Sequence, residues 1–489
     1  MGFQLLAIAL TACAVPILLT YLFFAPPKSF PKNIPSVPFY YTLIPLFKDV
    51  DQSESYRKYL ESPLKKYGAV KIFFGGRWNI LVQRPAYIAE VLKHEDVYAK
   101  SGNQKKIPYS VLAEYTGDNI ISSHGKDWRL YQSVIKPGLQ QDVEARPVYS
   151  NAQKLVDLLL EEQASSDTKS ALAPRLLQRY TLANLSESLL GASFGTLQSP
   201  NAPLHAFQNQ IKPLIFHPIF LNFPFLDHFP IPMRISARKL ARAFANELCN
   251  TVLRAHQQHA HSDISNAPLG CRLVAAKDDR TWTDTQFQHN MISTFLAGHE
   301  NPQLLLTSAL FLLAEHPEWQ RRVREEVSAA ESSALHDLPI LTSIIYETLR
   351  LYPPISQLIN RCTTSDVALG GKIPIPAGTY VGYNAYATGR DSEYWGADAD
   401  EFRPQRWGEG IEEVGQTYRR ANVKGGFIAF HGGRRACLGQ KFAMFEAKIT
   451  LTVMLKRLEW RIDPGWERRM TPVSWMRDEW EWKLLTNTR

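Results

Sequence analysis

The apolar positions of this chain fall into three patterns, each predicting a different kind of element. From Phe3 to Phe24 they are nearly continuous and uncharged, dominated by Leu, Ile, Ala, Val and Phe. At about 1.5 Å of rise per residue, such a helix crosses the ~30 Å hydrocarbon core of a bilayer. No basic residue precedes it, no small-residue cleavage site separates it from the rest of the chain, and Lys28 and Lys32 come directly after. The reading is an uncleaved anchor, with the rest of the chain on the cytosolic side, rather than a signal peptide. Pro26, Pro27, Pro31, Pro35 and Pro38 then predict a stiff, extended spacer. Short β-type runs at Val70–Phe74 and Trp78–Val82 flank Gly75-Gly76-Arg77 and predict a hairpin; another strand region lies around Lys372–Tyr383. Most of the remainder has helical periodicity.

One helix is unusually long. Thr283-Asp284-Thr285-Gln286 is a capping-box pattern, and the helix it opens runs to about Ala314, before His316-Pro317. At that length it must cross the whole domain. Midway lies Ala297-Gly298-His299-Glu300-Asn301-Pro302. Gly298 costs about 1 kcal/mol of helix stability but lets a flat ligand come close to the backbone. Pro302 removes a backbone donor and predicts a kink with a freed carbonyl. A further helix starts at Asp337-Leu338-Pro339, ends before Pro353-Pro354, and carries Glu347 and Arg350 three apart on one face. The fold expected is mainly α with a small β part: an anchor over 1–25, a proline-rich hinge over 26–40, and one large domain over 41–489.

Composition adds limits. With 45% hydrophobic and 21% charged residues, the 489-residue chain can bury a sizeable core. Its net charge of +8 comes from scattered Lys and Arg. That favours a basic surface near anionic membrane or an acidic partner, and no nucleic acid. Five widely spaced cysteines without a C-x-x-C pair fit neither a disulfide framework nor a zinc site, and point to a reducing compartment.

The stretch with the clearest chemistry is Phe430–Gly439, F-H-G-G-R-R-A-C-L-G. Cys437 precedes an apolar helical run, so a helix N-terminus should favour its thiolate. Gly433 and Gly439 let the backbone turn sharply and a flat ligand approach. Arg435 can pair with that ligand's carboxylate. An anionic sulfur beside an arginine suits an iron porphyrin, and the spacing F-x-x-G-x-R-x-C-x-G resembles the haem-binding loop of the cytochromes P450.

The resemblance implies a single, mostly helical cytochrome P450 domain holding haem b, with Cys437 as iron ligand and Phe430, Gly433, Arg435 and Gly439 around it. His124–Leu139 resembles the family helix whose Trp and later Arg bind the haem propionates. Trp128 maps onto that Trp, but the Arg position holds Gln132, which supplies a hydrogen bond and no charge. Arg361 matches another propionate position. Phe402-Arg403-Pro404-Gln405-Arg406-Trp407 resembles the family's meander, whose Arg406 would complete a buried network with Glu347 and Arg350. In the long helix, Glu300 matches the acid of the oxygen-activation motif, while Asn301 stands where the family has threonine. Ala297 and Gly298 would floor the pocket. An asparagine can position a relay water but conducts protons poorly. Either water carries the relay beside Asn301, or the reaction depends less on it, as in radical coupling or rearrangement. Tyr109–Tyr115, Pro354–Leu358 and Val473–Trp475 are pocket-wall candidates, and the Phe-rich stretch from Ile211 to Pro232 is the expected access lid.

The implied activity is monooxygenation or oxidative coupling of a small lipophilic or aromatic substrate. Electrons would come from NADPH through a membrane-bound NADPH–cytochrome reductase, for which Arg434, Lys441 and Lys448 offer a basic face. The site would be the endoplasmic reticulum membrane, single-pass. Gly-His-Glu-Asn-Pro resembles a fungal branch that oxidises or couples tyrosine-derived molecules. Two alternatives remain open: a reductase-independent haem-thiolate isomerase, and a serine hydrolase using the G-x-S-x-G of Gly191–Gly195. The latter needs a strand just before Ser193, where Leu176, Leu177, Tyr180, Leu185, Leu189 and Leu190 recur at helical spacing.

Overall fold

A computed structural model describes residues 25–47, 51–167, 170–258, 267–330, 337–463 and 483–488. The apolar run Phe3–Phe24 and the wall candidate Val473–Trp475 lie outside them. Among the described residues, no helix is long and apolar enough to cross a membrane.

Strands β1 (Ala69–Phe74) and β2 (Arg77–Val82) form the expected antiparallel hairpin. Gly75 and Gly76 have φ of 61° and 76°, the left-handed pair that a two-residue turn demands. The proline-rich stretch ahead of the hairpin is docked: Ile34 and Val37 are buried, and Val37 N–H donates to Lys71 O at 2.8 Å. Three more strands, β3 (Tyr98–Lys100), β4 (Gln357–Thr363) and β5 (Tyr380–Asn384), complete a sheet of order β1-β2-β5-β4-β3. Sequence reading missed β4, whose only outward sign is a short β-rich run after Pro354.

The helices that position the site are α1 (Gly125–Gln140), α2 (Ala173–Asn184), α3 (Pro203–Ile215), α4 (Pro232–Gln258), α5 (Asp284–Glu315), α6 (Pro339–Leu351) and α7 (Gln440–Arg457). The long helix α5 has its capping box: Thr283 Oγ1 accepts from Gln286 N–H at 3.2 Å, and Gln286 Oε1 accepts from Thr283 N–H at 2.9 Å. It runs on as helix through Pro302. Its first half (Phe287, Met291, Phe295) packs with Phe244 and Leu248 of α4, and its second half (Leu305, Leu306, Leu310) with α6 and α7. One helix thus joins two cores, as its length required.

The Glu347–Arg350–Arg406 network forms. Glu347 and Arg350 are fully buried. Arg350 Nε and Nη2 reach the two carboxylate oxygens at 2.8 Å each, and Arg406 Nε donates to Oε1 at 2.9 Å. Arg403 N–H and Trp407 Nε1 add bonds of 2.8 and 3.0 Å. Ser193 has no elbow around it: a wide helical turn, Leu185–Leu190, leads to the left-handed Gly191, so the strand a nucleophile needs is missing there and the hydrolase reading falls.

Candidate active site

The segment leading into α7 is a tight loop closed by its own backbone, with Cys437 N–H donating to Phe430 O at 2.9 Å. Gly433 has φ of 63°, and a Cβ there would sit 2.6 Å from Leu92 O, so no other residue fits. At Gly439 a Cβ would meet no protein atom within 4 Å. Cys437 is exposed, yet the protein packed around its thiol raises the pKa through burial; the Gly439 and Gln440 amides pull the other way. Both observations hold for a group lining a recess. The Gly439 and Gln440 amides act toward the thiolate, as a helix N-terminus should, and burial acts against them.

Beside this loop is a cluster of buried cations. Arg435 Nη1 donates to Glu95 Oε1 at 2.6 Å, and its Nη2 to Ile120 O and Ser123 O at 3.1 and 3.0 Å. Trp128 of α1 stacks on the guanidinium at 4.6 Å, and Gln132 lies one turn further along α1, half-buried. Arg361 of β4 is fully buried. Its Nη1 reaches Tyr98 O at 3.0 Å, while Nε and Nη2 have no partner among the described residues. A buried guanidinium with unmet donors is costly unless an anion joins it.

Across the site, on α5, Glu300 is buried and its Oε1 accepts from Lys212 Nζ and Gln208 Nε2 of α3, each at 3.2 Å. Burial raises its pKa, and Lys212 and Gln208 pull it down. Burial also pushes His299 down to about 3. Neutral His299 donates from Nδ1 to Phe295 O at 2.5 Å and accepts from Gln208 Nε2 at 2.7 Å. Asn301 folds back on its own helix, Nδ2 donating to Ala297 O at 3.3 Å. A Cβ at Gly298 would lie 2.6 Å from Leu185 Cδ1, so that glycine lets α5 pack against the turn after α2. Ala297 and Gly298 are half-buried. Leu296 of α5 and Leu438, beside Cys437, both pack against the same apolar cluster. Lys212 and Gln208 escaped the sequence reading because nothing local marks a partner so distant along the chain.

A family model described as Cytochrome P450 matches residues 35–478. The chain belongs to the cytochrome P450 family. Relatives include Cytochrome P450-DIT2 of Saccharomyces cerevisiae, 44% identical over 93% of this chain and 94% of that protein. Cytochrome P450 monooxygenase xanG of Aspergillus fumigatus is 40% identical over 91% and 85%. Cytochrome P450 734A1 of Arabidopsis thaliana is 28% identical over 83% and 78%. Membership makes the chain a haem-thiolate enzyme supplied with electrons by a redox partner. The residues present fit haem: an exposed cysteine at the end of a closed loop, open room at Gly439, and a buried arginine lacking an anion.

Proposed function

We propose that this cytochrome P450 oxidises or oxidatively couples a small aromatic, tyrosine-derived substrate, drawing electrons from NADPH through a membrane-bound NADPH–cytochrome reductase. The observation that carries the haem-thiolate part is Cys437, accessible yet ringed by protein in a loop only glycine can close. Thiolate-ligated haem, once bound, supplies O2 activation. Cys437 would ligate its iron, and Trp128, Arg361, Arg435 and the neutral amide of Gln132 would hold its edge, with Phe430, Gly433 and Gly439 shaping the loop. Ala297 would floor the pocket, while Gly298, expected to share that role, faces Leu185 and serves helix packing. Glu300 is the acid nearest Asn301 on α5, and Asn301 would position the water of a proton relay beside it. The tyrosine-derived substrate is supported by the Gly298–Pro302 resemblance.

The domain plan remains the anchor at 1–25, the hinge at 26–40 and the catalytic domain at 41–489, in the endoplasmic reticulum membrane. Phe225 and Phe229, 48% and 57% exposed on the segment linking α3 to α4, support a lid that dips into lipid. The test is a reduced carbon-monoxide difference spectrum. Wild type should give the thiolate-type absorbance and Cys437→Ser should lose it; retention in Cys437→Ser sinks the assignment. Turnover without NADPH and reductase would favour the isomerase alternative. Unchanged phenolic dimers after gene deletion would count against coupling.

A further inference from the structure

Strand register sets Lys100 directly opposite Arg361 in the β3–β4 pair. Directly opposite residues share a sheet face, where like charges repel. Both are buried, Lys100 at 4% and Arg361 at 0% exposure. Neither is paired with a carboxylate among the described residues. Glu95, the acid in range, is already committed through Oε1 to Arg435 Nη1 at 2.6 Å, with His124 Nδ1 at 3.7 Å. Lys100, Arg361 and Arg435 therefore share one carboxylate, and burial with the two guanidiniums lowers the Lys100 pKa well below its ordinary value. Arg361 Nε and Nη2 stand without acceptors among the described residues. An anion seated among them would offset that repulsion and keep the Lys100 ammonium charged.

A fourth residue belongs to this group. His431 holds φ at 58°, a left-handed conformation unusual for a non-glycine residue, and Asn422 Nδ2 pins its carbonyl at 2.5 Å. Its Nδ1 meets Tyr383 OH of β5 at 2.7 Å. Burial, then Lys100 and Arg361, depress its pKa to about 3, so the ring is neutral and close to both cations. Tyr383 OH occupies Nδ1, and Nε2 is the ring's other polar edge.

We infer that Lys100 and His431 complete, with Arg361, a carboxylate cradle for one haem propionate, and that Lys100 carries the charge that Gln132 does not. The inference rests on the haem-thiolate reading above. Arg435 and Trp128 form the neighbouring half, where Gln132 adds no charge. The total charge the edge needs is kept, and its position is moved from α1 to β3.

The test uses haem-loaded full chain: wild type, Lys100→Met, Lys100→Arg, and Lys100→Met combined with Gln132→Arg. The readouts are the rate of haem transfer to excess apomyoglobin and the ferric/ferrous midpoint potential, with far-UV dichroism to check the fold. Lys100→Met should speed haem loss about tenfold or more, since one charge-assisted bond is worth that much, and should lower the potential. Lys100→Arg should stay near wild type. Adding Gln132→Arg should restore both readouts, which a merely structural defect would not allow. Wild-type haem loss and potential in Lys100→Met, or no rescue in a folded double variant, overturns the cradle. If Lys100→Met does not fold, His431→Asn keeps the left-handed backbone and removes the ring; an unchanged rate there overturns it too. Failure of wild type itself to bind haem would instead overturn the underlying reading, and the cradle with it.

Discussion

Replacing Glu347 by Gln is the sharpest probe of what holds this fold around its site. The substitution keeps volume, so no cavity term enters. It removes the only carboxylate that five donors share: Arg350 Nε and Nη2, Arg406 Nε, Arg403 N–H and Trp407 Nε1. Summing five charge-assisted bonds at about 2 kcal/mol each would give ~10 kcal/mol, which overstates the loss. Arg350 keeps Ala399 O and Glu401 O at 2.5 and 2.9 Å, and Arg406 keeps Asp398 O at 3.0 Å. Arg406 also keeps the Asp398 carboxylate at 3.5 Å, so the net effect is the buried Arg350 guanidinium left without its counter-ion, worth about 3–5 kcal/mol. Against a total stability of about 5–15 kcal/mol, that is a large fraction. Urea unfolding of the haem-loaded protein, followed by tryptophan fluorescence, reads it. The exposed Glu61–Lys65 pair is the control, and Glu61→Gln should cost under about 1 kcal/mol. A Glu347→Gln loss no larger than the control's would refute the reasoning.

Two more outcomes are expected from single positions. Gly433→Ala should destabilise the protein by at least about 2 kcal/mol and impair haem incorporation, because the new Cβ meets Leu92 O and φ is positive; thermal melts and haem content check it. Glu446 of α7 is fully buried, and burial raises its carboxyl from 4.5 to about 8 against a single 2.7 Å bond from Asn184 Nδ2. As pH rises above the unfolded value, the unfolded chain ionises while the folded one stays neutral. Stability is thus fullest below about 4.5 and declines toward 8, by on the order of 3 kcal/mol between pH 5 and 7. Glu446→Gln should flatten that slope, and a slope equal to wild type's would contradict the assignment.

The local elements were legible in the residues themselves. The Gly75-Gly76 turn, the capping box at Thr283 and the glycine-closed cysteine loop each specify backbone geometry within a few residues, so pattern and structure agree there. Glu347 and Arg350 were visible as a pair, and only the resemblance to a known family supplied Arg406. What no local pattern could state is how distant charges meet. Glu300 looked like an isolated acid until α3 brought Lys212 and Gln208 against it. At Cys437 the helix N-terminus was legible, but the opposing desolvation is a sum over everything packed around the thiol, which only the fold supplies. Lys100 looked like one scattered basic residue among many. Its meaning comes from strand register with Arg361, which hydrogen bonding between two segments far apart in the chain decides. Sequence therefore determined the elements and the cysteine loop, because propensity and turn geometry are short-range properties. The electrostatics of the site belonged to the tertiary structure alone, because burial and charge pairing exist only once the chain has folded.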